Sequence, residues 1–231
     1  MKRIFEHIDR ASVGLAGHAV LVHLRDSSVD ARERLRFVPS TAHFIMSFAD
    51  LCHFFLPVHP APDRYQELAN LNLAEEGDHW KWFLADLTTL GLDPQLTLTD
   101  AIRSLWSDQT SKTRKLTYEL CRTSASLDSL ERLVLVLSIE ATGKVALEAA
   151  APAGREAAAL AGKTLVYFGS HHLESELGHT LSEDDVRREL GETVLDPARL
   201  AKLEELVDRV FGYFREMLDE AFRATGSLKA C

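Results

Sequence analysis

The stretch LVLVLSIEATGKVALEAA, Leu133 to Ala150, decides how the chain must fold. Leu133, Val136, Leu137 and Leu147 recur with helical spacing and share one face, so the stretch reads as a strongly apolar helix over about 127–150, ending before APAG. Glu140 falls on that same core-facing stripe. A carboxylate buried without a partner costs several kcal/mol or takes up a proton, so Glu140 calls for a hydrogen bond, a cation or a metal. A metal needs the fewest further assumptions, and the ordinary alternative is an ion pair with Lys144 or with an arginine of another helix.

Working outward, helical periodicity dominates and alternating β-branched runs are almost lacking, so the fold class is all-α. Residues 2–26 read as one or two short helices broken near Gly14 and Gly17. Residues 29–56 read as a longer helix, with Pro39 starting or kinking its main segment. LPVHPAPD, with three prolines, makes a linker, and Asp63 caps a helix over about 63–90 that stops at Gly91. Thr99 or Asp100 caps the next helix, which reaches Cys121; a weaker alanine-rich helix follows residue 150. SEDD at 182–185 opens another, and a long amphipathic helix runs from Pro197, with Leu200, Leu203, Leu206, Val210 and Phe214 on its apolar side.

The 231 residues suit a single domain with one buried core. A net charge of -9 and the lack of a basic stripe argue against nucleic acid as a partner. Cys52, Cys121 and Cys231 are odd in number and far apart, as reduced thiols are. The first residues, MKRIFEHIDR, lack a signal-peptide core, and no apolar run is long enough to span a bilayer. A cytoplasmic protein without a membrane partner is expected.

HHLESELGH at 171–179 packs three histidines and two glutamates into nine positions. On a helix His172, Glu176 and His179 stand at i, i+4 and i+7, on one face, which is metal-ligand spacing. In LAEEGDHWKWF, Glu75 or Glu76 shares a face with His79. Three segments thus offer Glu75 or Glu76 with His79, then Glu140, then His172, Glu176 and His179. A mixed oxygen and nitrogen set without thiolate suits two iron ions, or manganese, better than structural zinc. Phe44, Phe48, Trp80, Phe83, Tyr167 and Phe168 lie on or beside these segments and are candidates for an apolar substrate pocket. His43 and His53 read as ordinary core or surface histidines.

The spacing His172-x3-Glu176-x2-His179, with Glu140 on a middle helix and His79 on an earlier one, resembles the heme-oxygenase-like diiron oxidases and oxygenases of the TenA/PqqC structural superfamily. The resemblance covers about residues 63–181. It implies a heme-oxygenase-like helical bundle over 1–231, two iron ions, and O2 and a small-molecule substrate as partners, and it is compatible with a homodimer. One departure is Asn72, which stands where part of the family has its first glutamate, seven residues before the histidine; Glu75 or Glu76 must replace it.

A ferritin-like bundle would also use Glu76-x-x-His79, Glu140 and Glu176-x-x-His179. It lacks a source for its first glutamate, since only Glu33 and Asp50 precede, and Ser182 stops the last helix too early. A metal-free TenA/PqqC-like protein would need a nucleophile, for which Cys52 and Cys121 are the thiols; heme binding would use His7, His18 or His23; a non-catalytic scaffold would need neither.

Overall fold

The computed structural model of the protein describes residues 1–169, 172 and 183–227, and every regular element among them is helical. The centre is α9, Ser129–Ala161, in which every residue from Leu130 to Ile139 is buried. A helix apolar on all sides has to be surrounded. Around it pack α1 (Lys2–Ala16), α2 (Ala19–Arg25), α3 (Ala31–Arg34), α5 (Arg64–Glu76), α6 (His79–Leu90) and α11 (Pro197–Ser227). The protein is thus an all-α bundle. α4 (Ala42–Asp50), α7 (Leu98–Leu105), α8 (Ser111–Ser124) and α10 (Glu183–Leu190) complete it. Among the described residues no helix is long and apolar enough to cross a membrane.

α9 is set by its ends. Asp128 accepts from the Glu131 N–H (3.0 Å) while the Glu131 carboxylate accepts from the Asp128 N–H (3.2 Å), a reciprocal cap. Arg199, near the start of α11, pairs with both carboxylates at 2.5 Å and so docks the two helices. At the other end Gly162, at φ +61, takes the left-handed turn that closes the last carbonyls.

The helix does not stop before APAG but carries Pro152 inside it and absorbs the alanine-rich segment expected to follow. Pro152 removes one backbone donor. Burial of Ala149, Ala150, Ala153, Gly154 and Ala157 against the neighbouring helices outweighs that loss. Close approach is the reason for the small residues: a Cβ on Gly154 would lie 1.8 Å from the Phe168 carbonyl oxygen, where the chain folds back over the helix. Arg34, fully buried, donates to the Leu24 carbonyl (3.0 Å) and pairs with Glu156, joining α2 and α3 to this end of α9.

Other boundaries differ from expectation for local reasons. The break near the N-terminus falls at Gly17 and leaves Gly14 inside α1. Residues 29–56 are not one helix: α3, a 3-10 turn at Val38–Thr41 opened by Pro39, α4 and a π turn at Leu51–Phe55 succeed one another. The π turn ends with the Leu56 N–H on the Leu51 carbonyl (2.9 Å), and Arg132 donates to the Phe55 carbonyl (3.1 Å). The helix expected over 63–90 breaks at Gly77–Asp78, with Asp63 and Gly91 as its caps as read from the sequence. Thr97, not Thr99 or Asp100, caps α7 by accepting from the Asp100 N–H (3.2 Å). α7 ends at Leu105 and α8 is separate, because Arg114 gathers the carbonyls of Leu105 (2.7 Å), Ser107 (3.0 Å) and Thr110 (3.2 Å) into a turn.

Gly154→Ala is expected to destabilise the protein by about 1–3 kcal/mol, since the new methyl meets backbone. Gly143→Ala, whose Cβ meets nothing within 4 Å, should gain up to about 1 kcal/mol from helix propensity. Thermal melts of the two variants check this, with roughly 2–4 °C per kcal/mol.

Candidate metal centre

Glu76 ends α5 and His79 begins α6, so the break between them sets their relation. The ring of His53 on the π turn packs against the break, its Cε1 2.0 Å from where a Gly77 Cβ would lie. Only glycine allows that approach. Glu76 and His79 are both buried, and the Glu76 Oε2 is 3.0 Å from the His79 Nδ1. Glu75 is half-buried, and of the pair it is Glu76 that lines the cavity described below.

His172 completes the buried cluster from the chain that follows α9. Its Nε2 is 3.1 Å from the His79 Nδ1, and its Nδ1 is 3.2 Å from the Tyr167 carbonyl oxygen. A carbonyl only accepts, so the His172 Nδ1 carries the proton and its Nε2 presents a lone pair in the neutral ring. A ring nitrogen held by a backbone carbonyl while the other faces a carboxylate and imidazole cluster is how metal-binding histidines are oriented. Spacings of 3.0 and 3.1 Å are hydrogen-bond distances and draw the Glu76, His79 and His172 donors into one cluster.

Glu140 projects from α9 to the same end of the cavity, and Asn72 on α5 donates to its Oε2 at 3.1 Å. Asn72 thus orients the carboxylate that the sequence places on the core stripe.

Glu176 and His179 lie outside the described residues, and so does the helix proposed to carry them. Among the described residues no group of three or more carboxylate, imidazole and thiol side chains is complete enough to hold a metal ion by itself. The donors that are described fit part of such a site: nitrogen and carboxylate oxygen, buried, without thiolate.

Two positioning residues escaped the sequence reading. Trp82, three residues after His79 on α6, stacks on the His79 ring at 4.5 Å and 21° and meets His172 edge-on at 5.5 Å. Asp86, one turn further, is almost fully buried, and its two oxygens accept the backbone N–H groups of Val166 and Phe168, each at 2.9 Å. Burial pushes its pKa up, against the pull of these backbone bonds. The ExxH signal drew attention to residue 79, while the i+3 and i+7 positions of the same helix face held Trp82 and Asp86.

An apolar cavity of about 160 Å3 opens from the cluster. Phe44, Phe48, Trp80, Tyr167 and Phe168 line it as expected. Phe83 does not: it is fully buried in the core, packed edge-on against Tyr167 (5.5 Å) and Phe168 (6.2 Å).

The remaining candidates have structural partners. His7 bonds Asp208 (2.7 Å), His18 caps α2 and bonds Asp219 (3.1 Å), and His23 packs on Phe222. His43 stands between Trp106 and Tyr118, and burial lowers its pKa. Burial raises the pKa of Cys52, with Glu76 and Glu140 adding to it, and burial also raises that of Cys121, so both are poor nucleophiles near neutral pH. The chain matches no protein-family model and no curated protein.

Asp86→Asn keeps the shape but sets an amide NH2 against a backbone N–H. A loss of about 2–3 kcal/mol in urea unfolding is expected; stability equal to wild type would show that Asp86 does not hold the 166–168 turn.

Proposed function

We propose that the protein is a non-heme iron oxidase or oxygenase of the heme-oxygenase-like kind, acting with O2 on a small organic substrate. The observation that carries this reading is the buried meeting of Glu76, His79 and His172 beside Glu140 at one end of an apolar cavity. In this reading Glu76, His79, Glu140 and His172, with Glu176 and His179, hold two iron ions, manganese being the alternative metal. Iron bound there supplies the redox chemistry of O2 activation.

The protein's own groups do the rest. The Tyr167 carbonyl fixes the tautomer of His172, so its Nε2 faces the cluster. Asn72 turns one Glu140 oxygen by hydrogen bonding. Trp82 covers the His79 ring from the outer side, and the aromatic residues Phe44, Phe48 and Tyr167 keep water from the substrate side.

Anaerobic Fe(II) titration, with iron counted per chain and absorbance followed after O2 is admitted, tests this. About two irons per chain and an O2-dependent visible band are expected. His172→Ala and Glu140→Ala should each weaken binding by at least about 10–100-fold, the effect of losing even an outer-shell partner. Absence of Fe(II) and Mn(II) binding by the wild-type protein would overturn the proposal and leave a metal-free cavity protein.

A further inference from the structure

Helix α7 has no buried residue, although its pattern is amphipathic. Leu98 and Ile102, with Trp106 just past the helix end, follow one another at four-residue steps and so form one row. They are 77%, 48% and 57% exposed. Only Ala101 and Leu105 turn partly inward. A helix of eight residues is not held by propensity; it is held by burying its apolar face, and no other described helix packs along α7. Its ends are nevertheless fixed, by the Thr97 cap and by the Leu105 carbonyl, which accepts from the Thr110 hydroxyl (2.8 Å) and from Arg114 (2.7 Å). The helix is thus presented at the surface with its apolar row uncovered.

The row belongs to a larger patch. The ring of His43 on α4 meets Trp106 edge-on at 5.7 Å and Tyr118 of α8 at 5.9 Å, which joins three helices at this place. Tyr118, Met46 one turn after His43, and Leu96 just before α7 are exposed as well. Six such side chains at about half exposure, with a whole aromatic counting for about 200 Å2, present on the order of 700 Å2. That exceeds the about 300–600 Å2 of the largest patch on an ordinary monomer. Doubled, it falls within the about 1,200–2,000 Å2 of stable, specific complexes. Trp, Tyr and Met are also residue types that interfaces favour.

The pattern selects the occupant. The row reads alike from either end, a large apolar group on each side of a branched aliphatic centre, and rows of four-residue step are the ridges that interlock when helices pack. A twofold axis through Ile102 sets that residue against its own copy and Leu98 of each chain against Trp106 of the other, an isologous contact. The charges agree: Asp100 pairs with Arg103, Lys112 and Lys115 with Glu216, and Arg122 with Glu119, so two chains of net charge -9 meet here with little repulsion. A bilayer surface fits less well. Interfacial helices are rich in Lys and Arg on the polar side, whereas α7 has Arg103 alone, already paired.

We propose that this face, α7 with Trp106, Tyr118 and Met46, is the interface between two copies of the chain, with the twofold axis at Ile102. α4, which carries His43 and Met46, also walls the cavity through Ile45 and Phe48, so pairing backs that wall from outside. The inference does not rest on metal binding.

Sedimentation velocity of the full chain from about 1 to 100 μM tests it, since interfaces of this size dissociate at micromolar concentrations or below. The mass of two chains is expected. Ile102→Glu, which brings two like charges face to face, should weaken pairing at least about 100-fold, and Trp106→Ala about 30-fold. If Ile102→Glu proves unfolded by circular dichroism, Ile102→Cys in a Cys231→Ser background decides: a disulfide-linked dimer on mild oxidation supports the axis at Ile102, and its absence counts against it. A wild-type chain that stays single at about 100 μM, a dimer that both Ile102→Glu and Trp106→Ala leave intact, or a single chain that instead floats with phosphatidylcholine vesicles would overturn the inference.

Discussion

Helix α9 is buried on every side from Leu130 to Ile139, and a helix of that kind exists only inside other structure. The rest of the bundle answers that constraint. α1, α2, α5, α6 and α11 supply a wall each. Within that run the polar residues Glu131, Arg132 and Ser138 are each met by a hydrogen-bond partner. Glu140 is the first ionisable residue after that buried run, at the boundary between the solid core and the cavity.

That placement explains why the polar cluster forms at the head of the cavity. A carboxylate at the edge of a dry core must be met by donors, and Asn72 on the neighbouring helix meets one oxygen. The break at Gly77 then brings Glu76 and His79 to the same level, and the chain leaving α9 returns over Gly154 to bring His172 against His79. The approach at Gly154 depends on a missing Cβ, because the atoms it would meet are backbone. Asp86 makes the return definite by binding two consecutive-turn amides that would otherwise be buried without acceptors.

The helical class, the central helix, the caps at Asp63 and Gly91 and the helix from Pro197 were legible in the sequence, because each rests on local pattern. So was Glu140, since a charge on an apolar stripe is conspicuous. Where the structure departed from local preference, the reading erred: Pro152 signalled an end that buried alanines cancel, and the helix expected over 63–90 breaks at Gly77–Asp78. Asp86 carried no signal in the local pattern, and its role shows only once the 166–168 turn lies over it. Phe83 was placed one layer too near the cavity, because a face of a helix does not say how deep its neighbours are. The Glu75 or Glu76 ambiguity was of the same kind, as both positions fall within one turn of His79.

The two ends of the cavity impose different demands on one helix. Near Glu140 the wall must be polar and precisely spaced, so α9 faces Asn72 and the imidazoles there. Further on, a slot can open only if the helix gives up side-chain volume, and Gly143, Ala146 and Ala150 do so on one side. Glycine and alanine at these positions reduce the hydrophobic contact α9 can make with α2 and α4. The loss is offset at the ends, by the cap that Arg199 reinforces and by the buried Arg34 pairing with Glu156. A helix clamped at both termini tolerates a cavity along its middle, because the walls cannot collapse into it without moving one of the clamps. The persistence of an open, apolar slot beside a buried polar cluster is therefore a property of how α9 is anchored.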